Sequence, residues 1–274
     1  MLDLIAGPIM RALVTGGTEG IGREIAIGLV GSGARVLVTG RDAARGAAFA
    51  AQTGATFLTA EHATVHGNLE LAAAVAHTTD ELDILVNNVG GMAFPTRTLN
   101  SEGHEVISVL NYLGPITLTD ALLPILTPNA RIVQIVSSAL LMHKGDPFTE
   151  PDTYTAIGAY ARAKQLNLLA MLSLARQAAD NRSINAVNPG TAWTPGVRQL
   201  TPETVPAWRF IWPIVRAVQK RARPDRAARV PLRLALESVG SGQFFESKGK
   251  PASLPERLRD PDLQDRAWEA ALVH

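Results

Sequence analysis

The sequence contains no cysteine, few aromatic residues and almost no net charge, and each shortage excludes a class of protein. Without cysteine, the 274 residues cannot form a disulfide framework, a thiol nucleophile or a zinc–thiolate site, which fits a reducing cytoplasm. The 26 basic and 25 acidic side chains leave a net charge of +1. That balance leaves no excess of basic charge of the kind that binds nucleic acid or attracts acidic substrates.

Long hydrophobic runs are also missing. The first ten residues are apolar, but they include Asp3, carry no basic region and are too short to span a bilayer. We therefore expect a cytoplasmic protein without a signal peptide. The histidines show no metal-ligand spacing, so no metal site is predicted, and they are assigned surface or loop positions: His62, His66, His77, His104, His143 and His274.

Short apolar segments alternate with helical patterns along the first two thirds of the chain. The predicted strands are 11–15, 35–39, 56–60, 83–87, 131–137 and 183–187, and the predicted helices are 22–31, 43–52, 69–77, 102–126, 159–179 and 227–237. This alternation predicts an α/β fold, a doubly wound parallel sheet of Rossmann type with helices on both faces. We expect one domain over 1–274, with a core at 11–190, a substrate lid at 191–225 and an extension at 226–274.

A glycine run follows the first predicted strand and precedes the first helix. This context is what a dinucleotide site requires, because glycines let the backbone approach a pyrophosphate at a helix N-terminus. A tight turn that binds nothing is the alternative for such a run taken alone. The candidate cofactor contacts in it are Thr15, Gly16, Gly17, Thr18, Glu19, Gly20, Ile21 and Gly22.

Tyr160 and Lys164 lie four residues apart on a predicted helix and therefore share one face. A phenol titrates near 10, too high for efficient proton exchange at neutral pH, whereas a nearby ammonium favours the phenolate. Tyr154 competes with Tyr160, but the residue four positions on is Gly158, which carries no cation. The pair predicts a tyrosine acid/base.

Taken together, these motifs resemble the short-chain dehydrogenase/reductase family over about Arg11 to Thr194. The further matching elements, in the family's order, are Asn87, Asn88, Val89 and Gly90; Asn111; Ser137 and Ser138; and the run Pro189, Gly190, Thr191, Ala192, Trp193 and Thr194. The resemblance implies nicotinamide chemistry, a catalytic set of Asn111, Ser138, Tyr160 and Lys164, and a homo-oligomer, either a dimer or a tetramer. It also implies cofactor contacts at Tyr160, Lys164, Asn87 to Gly90, Pro189, Gly190, Ala192 and Thr194.

Within this resemblance each catalytic residue has a role. Tyr160 exchanges the proton of the substrate oxygen, Lys164 lowers the pKa of the phenol and binds the nicotinamide ribose, and Ser138 hydrogen-bonds the substrate oxygen. The neighbouring Ser137 is interpreted as a strand-end serine that the backbone satisfies. The 22 positions from Ser138 to Tyr160 exceed the family's usual spacing and predict a loop over 142–158. This longer spacing is similar to the branch of retinol dehydrogenases and protochlorophyllide reductase.

Asn111 is similar to the family residue whose main-chain carbonyl holds a water of the proton relay. Pro115 follows four positions later and has no N–H to donate to that carbonyl. Two interpretations stay open. Either the carbonyl is left for the water, with a local kink, or the proline is tolerated where the helix is already distorted.

The residues after the second strand favour NADP over NAD. Gly40 occupies the position where NAD-specific relatives usually carry Asp, and Arg41 follows it, as suits a 2′-phosphate. Two residues argue against NADP. Asp42 is an alternative ligand for a ribose 2′-OH. Glu19 stands where many NADP-binding relatives carry a basic residue, unless Glu19 pairs with Arg41 instead. Glu61, with His62 beside it, aligns with the acid that contacts adenine, although a solvated loop residue fits nearly as well.

Large aromatic residues gather after position 190, where relatives carry a substrate lid: Trp193, Trp208, Phe210 and Trp212. The apolar positions 208, 211, 212, 215 and 218 recur at helical spacing, for which ordinary core packing is the default. A lid over a lipophilic substrate is the preferred functional interpretation. A membrane-surface helix ranks third and rests on the basic run at 220–223.

The leading hypothesis is therefore an NADP(H)-dependent dehydrogenase or ketoreductase that acts on a hydrophobic carbonyl or alcohol, with NAD as the alternative cofactor. A non-redox enzyme on the same scaffold, of isomerase, dehydratase or cyclase type, is the first rival. The second is a nucleotide-binding regulatory protein, which has no need of the complete catalytic set.

Overall fold

Seven parallel strands form one sheet in the computed structural model, which describes residues 9–92, 94–198, 200–203, 205 and 209–273. The spatial order is β3-β2-β1-β4-β5-β6-β7. The strands are β1 (Arg11–Val14), β2 (Arg35–Gly40), β3 (Thr56–Thr59), β4 (Leu82–Asn87), β5 (Leu126–Ile135), β6 (Ser183–Val187) and β7 (Gln243–Phe245). This order confirms the predicted doubly wound sheet, and it reverses between β1 and β4, where such folds bind their ligands.

Helices connect the strands on both faces of the sheet. They are α1 (Gly20–Gly31), α2 (Ala43–Thr53), α3 (Val65–Thr78), α4 (Val106–Ser108), α5 (Gly114–Leu122), α6 (Ala156–Gln177), α7 (Pro195–Arg198), α8 (Trp212–Arg221), α9 (Pro224–Leu236) and α10 (Pro261–Ala270). A π-helical segment, Val109–Leu113, joins α4 to α5 without a break. Short 3₁₀ turns lie at Ser138–Met142 and Glu256–Leu258.

The core divides into two layers because successive strand residues point to opposite faces. Leu85 and Ile132 are buried on the face covered by α3, α5, α6 and α10. Val86 and Val133 are buried on the face covered by α1, α2 and α9. Burial on both faces explains why these strands read as continuous apolar runs.

The sequence prediction differs from the structure mainly at element ends. The helix predicted over 102–126 begins at Val106, contains the π segment and ends at Leu122. Strand β5 begins at Leu126 instead of 131, because Leu126 pairs with Leu82 across an irregularity in the ladder. Neither β7 nor α10 was predicted.

The segment predicted as an extension, 226–274, is part of the folded core. β7 completes the sheet beside β6, and α10 packs against α6. Trp268 of α10 is only 8% exposed, and the Tyr112 hydroxyl donates to the Ala267 carbonyl. The C-terminal residues therefore cover a helix that carries candidate site residues.

Two classes of feature are missing from the described ranges. None of the helices there combines the length and apolar content that crossing a membrane requires. The same ranges hold no group of three His, Cys, Asp or Glu side chains placed to bind a metal ion.

Candidate active site

The glycine run forms a tight turn between β1 and α1. Gly16 and Gly20 have φ angles of 63° and 57°, a backbone region that favours glycine. A Cβ on Gly17 would lie 2.7 Å from a methyl of Val38, and one on Gly22 would lie 2.5 Å from the Gly16 carbonyl oxygen. The turn therefore excludes side chains at these positions and leaves its backbone open to a ligand.

The amide groups at the start of α1 suit an anionic ligand. The first N–H groups of a helix have no partner within the helix and attract negative charge. Glu19 occupies the cap position of α1, yet its side chain makes no capping hydrogen bond. Thr18 lies beside Gly40 at the end of β2, and Ile21 packs against the core. These features fit a pyrophosphate at this helix end.

Thr15 joins the glycine turn to the end of β4. Its hydroxyl accepts from the backbone N–H groups of Asn88 and Val89 at 2.9 Å and 3.1 Å. The Asn88 side chain in turn donates to the Thr15 carbonyl at 2.9 Å. The two loops predicted to hold the cofactor are therefore tied together at the switch point of the sheet.

Asn87 does not share this arrangement. Its side chain points into the core, because side-chain direction alternates along β4, and it donates to the Thr119 hydroxyl of α5 at 2.8 Å. Asn87 is 1% exposed. The structure therefore corrects the predicted cofactor set at this position: the Asn87 side chain anchors α5, whereas Asn88, Val89 and Gly90 line the turn.

His62 lies in the loop after β3, as predicted, but it is buried within a hydrogen-bonded network instead of lying at the surface. Its Nε2 lies 2.8 Å from the Thr39 hydroxyl, which accepts from the Gly16 N–H at 3.0 Å. The other ring nitrogen lies 3.0 Å from Oδ1 of Asn68. Burial lowers the pKa of His62, and the Asn68 hydrogen bond opposes that shift. The neutral ring therefore supports the glycine turn from behind through Thr39.

Glu61 turns its carboxylate toward its own loop. Its Oε1 accepts from the Ala63 N–H at 2.7 Å, and the residue is exposed. The predicted contact of Glu61 with adenine stays a prediction.

Arg45, which the sequence reasoning missed, lies at the centre of the charges after β2. It pairs with Glu19 at 2.6 Å and with Asp42 at 3.2 Å. Asp42 also caps α2, since its carboxylate accepts from the Arg45 N–H at 3.0 Å. Glu19 therefore pairs with Arg45, and with Arg198 at 3.8 Å, while Arg41 is exposed. The missed signal was an arginine three positions after a capping aspartate.

Tyr160 lies in the first turns of α6, with the Ser137 side chain beside its phenol. Burial raises the pKa of the Tyr160 phenol, and the hydrogen bond from Ser137 opposes that shift. Ser137 follows the end of β5 in extended conformation, whereas Ser138 begins a 3₁₀ turn and is exposed. The serine that the structure brings to Tyr160 is therefore Ser137, while the predicted contact of Ser138 with the substrate oxygen stays a prediction.

Lys164 is 2% exposed, and its Nζ donates to the Ile135 carbonyl at 2.8 Å. The nitrogen lies 5.9 Å from the centre of the Tyr160 ring. Burial lowers the pKa of Lys164 to about 7. Burial acts against an ionised Tyr160, and the lower phenol pKa expected from Lys164 together with an oxidised nicotinamide stays a prediction.

Asn111 lies in the middle of the π segment and is fully buried. Its side chain binds both backbone groups of Gly91, accepting at 3.0 Å and donating at 2.9 Å. Its carbonyl accepts from Nδ2 of Asn167 at 2.6 Å. The helix is distorted before Pro115 as a π segment, which fits both interpretations, and a side chain of α6 donates to the Asn111 carbonyl while a second lone pair of that oxygen remains for a water.

The loop predicted over 142–158 is held to its surroundings by charged and polar contacts. Glu150 pairs with Arg97 at 2.9 Å and with Arg162 at 3.3 Å. The Tyr154 hydroxyl donates to the Glu105 carboxylate at 3.0 Å. Burial and the nearby Glu105 raise the pKa of Tyr154, and its hydroxyl is engaged by Glu105, which makes it a poor rival to Tyr160.

The loop after β6 begins at the same edge of the sheet. Asn188 donates to Glu246 at 2.8 Å and accepts from the Gly190 N–H at 3.2 Å, in a turn where Gly190 has a φ of 79°. Pro189 lies in this turn. Ala192 is 2% exposed, and the Thr194 hydroxyl accepts from the N–H of Val197 in α7.

The aromatic residues of the predicted lid divide into an inner and an outer set. The Arg216 guanidinium stacks between two indoles, 4.7 Å from the centre of Trp193 and 5.5 Å from that of Trp212. Phe210, by contrast, is 87% exposed. Trp208 lies outside the described residues. The inner set ties α8 to the loop after β6.

The structure thus gathers most of the predicted residues at the carboxyl edge of the sheet. The glycine turn, Asn88 to Gly90, Ser137, Tyr160 and the loop at 188–194 all follow or adjoin the ends of β1, β4, β5 and β6. A Cβ on Gly90 would lie 2.7 Å from Oδ1 of Asn111 and 2.9 Å from Nζ of Lys164, which places those two side chains beside the cofactor loop. Sequence reasoning missed Arg45 and Asn167, and it interpreted Ser137 only as a strand-end serine.

Comparisons with known proteins agree with this geometry. A family model described as short chain dehydrogenase matches residues 10–204. A Streptomyces antibioticus protein named "Probable oxidoreductase" is 32% identical over 287 residues, covering 94% of this chain and 95% of the relative. Human retinol dehydrogenase 13 is 28% identical over 279 residues, covering 95% of this chain and 83% of the relative.

The similar solved structures include a "Pseudomonas aeruginosa RhlG/NADP active-site complex". It is 27% identical to this chain, with a TM-score of 0.68, and the match covers 89% of this chain and 96% of the other.

Proposed function

This chain belongs to the short-chain dehydrogenase family, and we propose that it is an NADP(H)-dependent oxidoreductase interconverting a lipophilic ketone or aldehyde and its alcohol. One observation carries the proposal. The Tyr160 phenol lies beside Ser137 and has Lys164 one helical turn away, at the sheet edge that holds the glycine turn. A tight turn without a ligand needs no such set of side chains.

Tyr160 exchanges a proton with the substrate oxygen. Because burial raises the pKa of its phenol, Tyr160 is protonated at neutral pH and ready to donate as a carbonyl becomes an alcohol. Ser137 holds the phenol in place and offers a hydroxyl to the same oxygen. In the reverse direction the phenolate accepts the alcohol proton, and the hydrogen bond from Ser137 stabilises that anion.

Lys164 serves the phenolate and the cofactor. With a pKa of about 7, the buried amine gains its proton readily when negative charge arrives nearby, either on the Tyr160 oxygen or with an anionic cofactor. Asn111 positions the Gly91 backbone beside it through two hydrogen bonds. These contacts keep the loop after β4 at a fixed distance from α6.

The residues of the chain fit a dinucleotide. Gly17 and Gly22 leave no room for a Cβ, and the N-terminus of α1 has no side-chain cap, so the backbone of the turn suits a pyrophosphate. When bound, the nicotinamide group supplies or takes the hydride that the substrate carbon exchanges. Asn88, Val89 and Gly90 would lie along the bound cofactor, and Lys164 would reach the nicotinamide ribose.

Two exposed arginines after β2 support NADP over NAD. Asp42 is engaged by the N–H and the guanidinium of Arg45, which leaves it poorly placed to accept from a ribose 2′-OH. Arg41 and Arg45 offer two guanidinium groups to a 2′-phosphate. The Pseudomonas aeruginosa relative, whose solved structure is an NADP complex, points the same way.

The inner aromatic set supports a lipophilic substrate. Trp193 and Trp212 present two indoles after the loop at 188–194, which begins at the carboxyl edge of the sheet. Burying an apolar surface against such rings contributes about 25 cal/mol per Å², so substrate affinity rises with apolar area. The human relative is named a retinol dehydrogenase, and retinol is a lipophilic alcohol.

The experiment that tests the function follows the absorbance of NADPH with a panel of ketones and aldehydes graded by apolar area. We expect one alcohol formed per NADPH oxidised, with kcat/KM rising with apolar area, and loss of turnover in Tyr160→Phe while the Kd for NADPH stays within about threefold. Conversion of a substrate without NADPH oxidation would overturn the redox proposal. An active Tyr160→Phe variant would overturn only the role of the Tyr160 phenol and would leave the redox proposal standing.

The cofactor preference has its own test. We expect Arg45→Ala and Arg41→Ala each to weaken NADPH binding by about 1.5–3 kcal/mol, the strength of a charge-assisted hydrogen bond, and NADH binding far less. The matched control is Arg35→Ala, an exposed arginine at the opposite end of β2. Equal losses for both cofactors would contradict the NADP assignment.

A further inference from the structure

The segment from Arg209 to Val218 exposes more apolar surface than any comparable stretch of the described chain. Phe210 is 87% exposed, Ile211 49%, Ile214 67% and Val218 60%. The other large exposed apolar side chains lie singly and far apart in the sequence, as is normal for a protein surface. A cluster of this kind marks a binding surface.

Two of the exposed side chains, Ile214 and Val218, form one face of α8, and Phe210 and Ile211 lie just before the helix begins. Gln219 is 5% exposed, and Arg216 reaches inward to donate to the Val197 carbonyl at 2.8 Å while its guanidinium stacks on Trp193. Ile214 and Val218, one turn apart, therefore point away from the protein. Of the stripe predicted as core packing, Ile211 and Val218 are exposed, Trp212 and Val215 are half-buried, and Trp208 lies outside the described residues.

The charge around this face has a single sign. Between Glu203 and Asp225 the sequence contains five basic residues and no acidic one: Arg209, Arg216, Lys220, Arg221 and Arg223. Arg209, Lys220 and Arg221 are exposed next to the apolar side chains. Two copies of the chain meeting at this face would bring like charges together, which disfavours self-association there.

We propose that this face, Arg209 to Arg221, docks on an anionic lipid bilayer, with Phe210, Ile211, Ile214 and Val218 inserted among the acyl chains near the headgroups. An apolar stripe flanked by cations suits the interface of such a membrane, where each basic residue near the surface adds about 1 kcal/mol of attraction. The binding is independent of the catalytic proposal, since it needs neither cofactor nor turnover. It would place α8 between the bilayer and the loop that carries Trp193.

The test is flotation of the full chain with vesicles of phosphatidylcholine alone or with about a third phosphatidylglycerol. We expect at least tenfold stronger partition onto the anionic vesicles, weakened in about 1 M salt, where the Debye length falls to about 3 Å. The double variant Phe210→Ser/Ile214→Ser should lose at least tenfold of that partition. Lys220→Glu/Arg221→Glu should lose the preference for anionic lipid.

The matched control is Leu69→Ser/Leu99→Ser, which removes two exposed apolar side chains elsewhere, 45% and 55% exposed. It should bind vesicles as the parent chain does. Thermal midpoints within a few degrees of the parent establish that each variant is folded. Failure of the parent chain to bind anionic vesicles, or equal binding by the Phe210/Ile214 variant, would overturn the proposal. In the first case an acidic protein surface becomes the partner to examine.

Discussion

Ser137 and Ser138 are adjacent, yet they stand in different surroundings at the end of β5. Side chains of an extended segment alternate in direction, so one of two consecutive residues faces α6 and the other faces away. Ser137 lies beside the Tyr160 phenol, whereas Ser138 is exposed and begins a 3₁₀ turn. The sequence motif shows that a serine is present, but the choice between the two depends on where the strand ends.

This assignment yields a paired prediction. Ser137→Ala should lower kcat by about 10²-fold or more, because Tyr160 loses the hydrogen bond that positions it and stabilises its anion. Ser138→Ala should leave kcat within about threefold of the parent. Steady-state kinetics with one carbonyl substrate and NADPH decides between them, and the reverse pattern would restore Ser138 as the catalytic serine.

Lys164 gives a second prediction, on stability. Its pKa in the folded, cofactor-free protein is about 7, well below the unfolded value near 10.4, so between these pH values the unfolded chain binds more protons. The free energy of unfolding should therefore rise with pH from about 7.5 to 9.5. In Lys164→Met this slope should fall by up to about 1.4 kcal/mol per pH unit, the value for one proton.

Urea denaturation of the cofactor-free protein at three pH values in that range measures the slope. Lys144→Met, which replaces an exposed lysine, is the control and should keep the parent slope. An unchanged slope in Lys164→Met would mean that the buried amine keeps an ordinary pKa.

At the scale of elements, the π segment shows how far local sequence rules reach. Pro115 predicted a break in the ladder near Asn111, since proline offers no N–H, and the break is present. The partner of the freed carbonyl was not predictable, because Asn167 lies 56 positions further on and reaches Asn111 only through the packing of α6. A buried carbonyl needs a donor, and the tertiary fold provides one.

Asn167 therefore joins the two helices, and its loss should be measurable. Asn167→Leu removes the donor to the buried Asn111 carbonyl and should cost about 1–3 kcal/mol of unfolding free energy. Asn167→Asp should cost more at pH 8 than at pH 5, because a carboxylate cannot donate while the protonated acid can. Equal losses at both pH values would show that the contact with the Asn111 carbonyl does not set the stability.

Whether the other elements were predicted depended on their length and on how far along the chain their partners lie. Strands such as β1, β2 and β6 were predicted within one or two residues, because apolar runs bounded by turn residues identify them. The three-residue strand β7 was missed, since Gln243 to Phe245 is too short to show a pattern and its pairing with β6 is non-local. Arg45 was missed for a similar reason, because its ion pair with Glu19 joins the first turn of α2 to the cap of α1, 26 positions away.

At the scale of the whole molecule, the structure differs most from the sequence prediction in the C-terminal segment, which was expected to be an extension of the core. The sequence after position 226 alternates poorly, so nothing local indicates that α10 lies on α6. Asp265 accepts from Ser173, Arg176 and Gln177 of α6, and Trp268 packs into the same core layer as the residues of α3 and α5. The helix that carries Tyr160 and Lys164 is thus covered by the end of the chain.

This arrangement predicts that the C-terminal helix stabilises the whole fold. Trp268→Ala, at a side chain only 8% exposed, should lower the free energy of unfolding by about 3–5 kcal/mol, as for other large buried side chains. Phe210→Ala removes another aromatic ring that is 87% exposed, and it should change that free energy by no more than about 0.5 kcal/mol. Urea denaturation of the two variants beside the parent chain measures the difference. Equal stabilities would mean that α10 is dispensable for the fold, whereas a large loss only in Trp268→Ala would establish that the core of this protein includes its C-terminal residues.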